Sequence, residues 1–259
     1  MAYAPQAEGL WLWLGTAAMV LGMVYFIARV RGIADARRQQ FHVLAIFVAA
    51  IAAVSYLAMA LGFGGIVVTL NGQPHPIFWA RYVDWLATTP LLLVALGLLA
   101  GARRYVIATL VGLDALMLAT AGIATVTTGS GVLAARTERI VWWAVAAGFL
   151  VALLYVLFAT LTARARSLPT PTRRTFQFLR NLLVVSWLVY PAVWLVGPTG
   201  LAVLGLSIQT AAFLVLDLVA KFGFGYVLLR DPAALDAGAG DGTGQPSAGQ
   251  SPAGQTIEQ

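Results

Sequence analysis

Long apolar windows, separated by short polar junctions, recur along nearly the whole of this chain, and that recurrence constrains its fold more than any other feature. Seven windows, at about 9–30, 40–65, 79–101, 104–127, 138–163, 175–197 and 201–229, are each long enough to cross roughly 30 Å of hydrocarbon as a helix. Inside a bilayer the backbone must satisfy its own hydrogen bonds, and windows of this length do so as helices. Of the 259 residues 60% are hydrophobic and 10% charged, far from the balance of a soluble domain. The expected fold is an all-α membrane protein, a seven-transmembrane-helix bundle over residues 9–230, with a short N-terminal segment at 1–8 and a tail at 231–259. Glu8 precedes the first window, no basic segment leads into it, and further spans follow, so it reads as a span and not as a cleaved signal.

The charges give a direction to the bundle. The net charge is +6. Arg29, Arg31, Arg37, Arg38, Arg103, Arg104, Arg164, Arg166, Arg173, Arg174, Arg180 and Arg230 fall at junctions that share one side if the helices alternate, whereas the other side has little beyond Arg136 and Arg139, partly balanced by Glu138. The excess predicts an N-terminus outside, a C-terminus in the cytoplasm and a multi-pass plasma-membrane protein. The same placement makes the basic charge a membrane-facing surface next to the lipid bilayer, with no nucleic-acid partner. There are no cysteines, and His42 and His75 lie far apart without acidic neighbours in a ligand pattern, so no metal site is expected.

The junctions are short. "LNGQPHP" reads as an outside turn with a small hairpin before it in "GGIVVTL". "SLPTPTRR" is expected to break the chain between windows five and six, and "GPTG" to form a tight outside turn. The segment after Arg230, rich in Gly, Ala, Pro, Ser and Gln, carries no apolar periodicity and is expected to be disordered.

Five ionisable residues sit too deep in the windows to reach water from a helix end: Arg81, Asp84, Asp114, Asp217 and Lys221. Each charge near the bilayer centre costs at least about 2.5 to 3.5 kcal/mol, so each is expected to face the bundle interior and to have a partner. Asp217 and Lys221 are four apart and share a helical face. The lysine could remain an ammonium in an ion pair that fixes helix packing, or its amine could be held as a Schiff base to an aldehyde, with carboxylates as counterions. Asp84 could be the second carboxylate. Arg81 is placed to compensate the surplus negative charge, and Thr88, one turn further along, to hydrogen-bond Asp84. Trp85, Trp143, Trp187, Tyr190, Pro191 and Trp194 could wall a long apolar cavity, with Trp187, Tyr190 and Trp194 broadly on one face. Tyr56 and Asp114 fit either an interhelical hydrogen bond or a role in that cavity.

Three stretches, "ARYVDWLATTPLLL", "RNLLVVSWLVYPAVWLVG" and "FLVLDLVAKFGFGYVLLR", together resemble the microbial rhodopsins, specifically the haloarchaeal-type branch that contains bacteriorhodopsin and the sensory rhodopsins. The resemblance covers Leu10 to Arg230. It implies a light-activated protein, not an enzyme, that binds all-trans-retinal on Lys221 as a protonated Schiff base. By matching motif, Asp84 is then the counterion and proton acceptor, Asp217 the second counterion and Arg81 the outward-side gate. Thr88 supports Asp84, Tyr56 and Tyr190 hydrogen-bond around Asp217, and Trp85, Trp143, Trp187, Trp194 and Pro191 enclose the chromophore. Met117 lies against the ring and Asp114 in the hydrogen-bonded wall. Ala146 and Ala220 stand where hydroxyls that tune colour occur in relatives.

Departures from the family pattern bear on the finer function. Outward proton pumps of this branch carry a proton-donating aspartate where this chain has Ala95, and a supporting threonine where it has Ala45. Their two release-group glutamates match Thr199 and Gln209. Without a positioned donor, return of the proton is expected to be slow at neutral pH, which suits a photosensor similar to the second type of sensory rhodopsin. Those sensors carry a threonine before the retinal lysine and a tyrosine two residues before the helix-seven aspartate, for contact with a membrane transducer. Ala220 and Val215 replace them here. The alternative is a light-driven outward proton pump that lacks the usual donor and release carboxylates. The resemblance also implies a homo-oligomer, a dimer or trimer.

Overall fold

Every apolar window becomes a helix, and at three of them local backbone features, not the fading of hydropathy, set an end. The structure, a computed structural model, describes residues 3–70 and 73–236. The chain runs α1 (Gly9–Val30), α2 (Ala36–Ala60), β1 (Ile66–Leu70), β2 (Gln73–Ile77), α3 (Ala80–Leu99), α4 (Arg104–Val126), α5 (Ala135–Ala165), α6 (Thr170–Val196), α7 (Leu206–Arg230) and α8 (Pro232–Asp236). The seven helices other than α8 are long and apolar enough to cross a membrane. Their outward faces carry exposed Leu21, Val54, Val151 and Val185, as expected where lipid is the solvent.

Three helices differ from expectation at their ends for local reasons. The second window, expected at 40–65, is helical over Ala36–Ala60. The Asp35 carboxylate accepts the Arg38 backbone N–H at 2.7 Å and starts α2 early, and Gly62 at φ +79° turns the chain away at its end. Helix α6 begins at Thr170, inside the segment expected to break the chain, because Pro171 in a first turn loses only an N–H that has no helical partner anyway. The last window starts at Leu206, since the turn before it is tied down by Leu201 N–H to Leu195 O (2.7 Å) and Ala202 N–H to Gly197 O (2.9 Å).

The expected hairpin exists, but its second strand lies within the segment read as a turn: β1 and β2 pair antiparallel with Val68 opposite His75. It caps one end of the bundle, called here the hairpin end, where α3, α5 and α7 begin. The tail expectation is corrected for its first residues, which form α8 with Ala234 and Leu235 buried and the Leu235 carbonyl accepting from Arg37 Nε at 2.9 Å. The expectation of disorder for residues 237–259 lies outside the described residues.

Two helices contain a stretch of π-helix, at Leu157–Leu161 in α5 and Leu218–Gly223 in α7, and the second carries Lys221. Such widened turns leave the local ladder one residue out of register and turn a side chain to a new bearing. Helices α1 and α2 pack closely because Gly15 lies against the Tyr56 ring, where a Cβ would collide. Gly15→Ala is therefore expected to lower stability by about 1 to 3 kcal/mol, the usual range for overpacking. An unchanged thermal unfolding midpoint would contradict that close fit.

Candidate functional site

Lys221 is the only lysine in the chain. Its side chain is buried, on the π-helical turn of α7, and its amine meets two carboxylates from different helices. Nζ donates to Asp84 Oδ2 of α3 in a short contact, and lies 3.0 Å from Asp217 Oδ1, one turn back on α7. The pairing expected between helices α3 and α7 is thus present, and both acids are excluded from solvent.

The two carboxylates are held very differently. Asp217 accepts from Tyr56 Oη at 2.7 Å through Oδ2, and from Tyr190 Oη at 2.7 Å and Trp85 Nε1 at 3.1 Å through Oδ1. Among the described residues Asp84 accepts side-chain donation only from Lys221, and its Oδ1 has no partner. Thr88 does not supply one. Its hydroxyl donates to the main-chain carbonyl of Asp84 at 2.8 Å, one turn back along the helix, so the expected Thr88–Asp84 hydrogen bond is made through the backbone and not through the carboxylate.

Arg81 is buried at the hairpin end of α3, but it pairs with no carboxylate among the described residues. Its guanidinium instead stands over the Phe213 ring at 4.6 Å and near Phe78 at 5.6 Å, with Nε and Nη2 lacking protein partners. Any compensation of the carboxylates by Arg81 therefore acts across space and not through an ion pair.

From Lys221 a cavity of about 790 Å³, its mouth included, extends between α3, α4, α5 and α6. Trp85, Trp143, Trp187, Tyr190, Pro191, Trp194, Met117 and Ala220 line it, as do Ala146 and Ala147. Trp143 Nε1 donates to the Pro191 carbonyl at 3.2 Å, so the side walls of α5 and α6 are tied together. Asp114 is not in the lining. It is buried behind Thr89, which does line the cavity and donates to Asp114 Oδ2 at 2.6 Å. Its expected place in the wall is thus corrected to the layer behind, and Thr89 is the residue that sequence reasoning missed.

The donor and release positions hold no ionisable group. Ala95 and Ala45 line a second small void with Leu44, Val48, Leu92 and Phe224 that reaches Lys221 from the side opposite the hairpin. Thr199 and Gln209 are both buried, and Gln209 Nε2 makes only a long contact, 3.4 Å, to the Val193 carbonyl. Nearby, Trp194 Nε1 donates to Thr125 Oγ1 at 2.8 Å, and Tyr82 shares a short contact with the same hydroxyl. Arg139, read from sequence as part of an outside junction, is instead only 2% exposed.

The arrangement is suited to an elongated apolar aldehyde. A lone amine at the end of a long apolar slot can form an imine, aromatic rings on both sides can hold a flat conjugated chain, and two carboxylates can balance a positive nitrogen in low dielectric. Comparison with known proteins agrees with this. A family model described as bacteriorhodopsin-like protein matches residues 6–234. Bacteriorhodopsin-I of Haloarcula marismortui is 58% identical over 241 residues, 93% of this chain and 96% of that one. Cruxrhodopsin-3 of Haloarcula vallismortis is 57% identical over the same shares of both chains. Among solved structures, thermophilic rhodopsin from Rubrobacter xylanophilus superposes with a TM-score of 0.82 at 36% identity, covering 90% of this chain and 100% of its own.

Proposed function

The chain belongs to the bacteriorhodopsin-like proteins, and from that membership we propose that it is a light-driven proton pump that moves protons outward across the plasma membrane, with its N-terminus outside. The single observation that carries this reading is the unequal treatment of the two carboxylates around Lys221. Asp217 receives two hydroxyls and an indole N–H, all of which favour its ionised form and make it a poor proton acceptor. Asp84 receives none of these, and its Oδ1 is open. A proton leaving Nζ therefore goes to Asp84.

Retinal attached at Lys221 would supply a light-driven change of shape that moves the Nζ proton relative to the two acids. Trp85, Trp187, Met117 and Pro191 would hold its chain, with Trp143 and Trp194 closing the slot. Asp84 accepts at the hairpin side of Nζ, which sets the direction. Arg81, three residues further toward the hairpin, favours a negative Asp84 across space and so helps keep the proton on Nζ until light moves it. Asp217 remains a fixed negative charge throughout, because Tyr56, Tyr190 and Trp85 keep donating to it.

The return of the proton is the weak step. Only apolar side chains and Lys221 surround the void between Ala95 and the amine, so no acid waits there to recharge Nζ. Positioned general acids contribute typically about 10²- to 10⁴-fold, and Ala95→Asp is expected to shorten recovery of the dark state at neutral pH by about 10²-fold. Flash spectroscopy checks this, and an unchanged recovery time would remove the donor argument. A slow cycle also suits a photosensor, the reading that the missing donor favours on its own. Two points favour the pump: Ala220 and Val215 lack the hydroxyls a transducer contact of the known kind uses, and the relatives named above are bacteriorhodopsins and cruxrhodopsins. Illuminated cells that express the protein with retinal are expected to acidify their medium, and a protonophore to abolish the change. Correctly folded pigment with no acidification would refute the pump reading.

A further inference from the structure

We propose that Arg139 holds a small monovalent anion, chloride, at the hairpin end of the bundle, beside the turn between α6 and α7. The binding site does not depend on light-driven transport; only its consequence for proton release rests on the pump reading.

Arg139 presents a full positive charge that the protein answers incompletely. Its Nε donates to the Thr127 carbonyl at 2.7 Å and Nη1 to the Thr199 carbonyl at 3.2 Å, while Nη2 is buried without a partner among the described residues. Backbone carbonyls satisfy N–H groups but do not neutralise the charge, and a buried guanidinium with no counterion is strongly disfavoured. No carboxylate pairs with it among the described residues. The acids at this end are engaged elsewhere: Glu138 accepts from the backbone N–H and hydroxyl of Ser130, and Glu8 from Tyr3 Oη and the Gln6 N–H.

The surroundings are rich in donors and poor in acceptors. Arg81 adds two more buried N–H nitrogens without partners among the described residues, Nε and Nη2, and both cations act electrostatically on the Tyr82 hydroxyl. His75 on β2 also lies within reach of this cation: burial first, and then the Arg139 charge, push its imidazole below the ordinary range. A group that can only accept hydrogen bonds and carries one negative charge meets both deficits at once. Thr199, whose carbonyl already touches Arg139, stands where the pumps of this branch place a release glutamate. An anion held there would supply by binding the negative charge that those pumps supply by side chain.

Chloride binding is measured in the dark on the full-length, retinal-loaded protein, by ³⁵Cl NMR line broadening at constant ionic strength with sulfate as the balancing salt, together with the thermal unfolding midpoint. Saturable broadening and a midpoint that rises with chloride but not with sulfate are expected. Arg139→Gln is expected to lose both effects. Thr199→Glu, which sets a carboxylate beside the guanidinium and leaves Arg139 in place, is expected to lose both as well while starting from a higher midpoint, so a poorly folding Arg139 variant does not decide the matter. Absence of saturable broadening in the unmodified protein overturns the proposal. So does broadening that survives in Thr199→Glu, since it would place the ion elsewhere. Loss of transport with chloride binding intact would count against the pump reading and leave the site standing.

Discussion

Lys221→Ala is expected to abolish the visible absorption band completely on addition of retinal. The loss should be total because no other lysine exists to which an aldehyde could attach. The same substitution removes the positive partner of two buried carboxylates, and breaking such a buried pair by deleting one member typically costs about 3 to 5 kcal/mol. A second variant separates the two effects. Lys221→Arg keeps a cation between Asp84 and Asp217 but cannot form an imine, so it should also lack the band while unfolding at a higher temperature than the alanine variant. A visible band in either protein would mean that the chromophore is not attached at Lys221.

Asp84→Asn is expected to reduce light-driven proton movement at least about 10²-fold, the scale on which a positioned base contributes. Asp217 cannot take over, since both of its oxygens are already occupied by Tyr56, Tyr190, Trp85 and the lysine itself. The band should also move to longer wavelength, because removing a negative charge beside Nζ destabilises the ground state, in which the positive charge is localised on the nitrogen. The matched Asp217→Asn variant should retain a proton acceptor and lose the fixed charge instead. Transport in Asp84→Asn at or near the unmodified rate, measured in vesicles of equal pigment content, would reverse the assignment of the two acids.

The spans were legible in the sequence because a bilayer demands uninterrupted apolar length, a property of each segment taken alone. Helix ends were less so, since Asp35, Gly62 and Pro171 act through capping and backbone conformation and not through hydropathy. Within the site, the Asp217–Lys221 relation is a spacing of four on one helix and could be read directly. Contacts between helices depend on how each is rotated about its axis, and there the sequence reached its limit. Thr88 spends its hydroxyl on its own helix, Thr89 holds Asp114 behind the cavity wall, and the π-turn that presents Lys221 has no signature in composition. Arg139 did have a signal. It lies four residues before Trp143, already expected to face inward, so helical spacing puts its side chain on the same inner face.

The central claim is that light drives a proton from Lys221 to Asp84 and onward out of the membrane, with a slow return for want of a donor at Ala95. Time-resolved absorption and proton uptake or release, followed together on one retinal-loaded vesicle preparation, test it most directly. Net outward movement of protons in each cycle is expected, with recovery that is slow at neutral pH and shortened in Ala95→Asp. A complete photocycle with no net proton movement, from pigment that retains its visible band, would contradict the account.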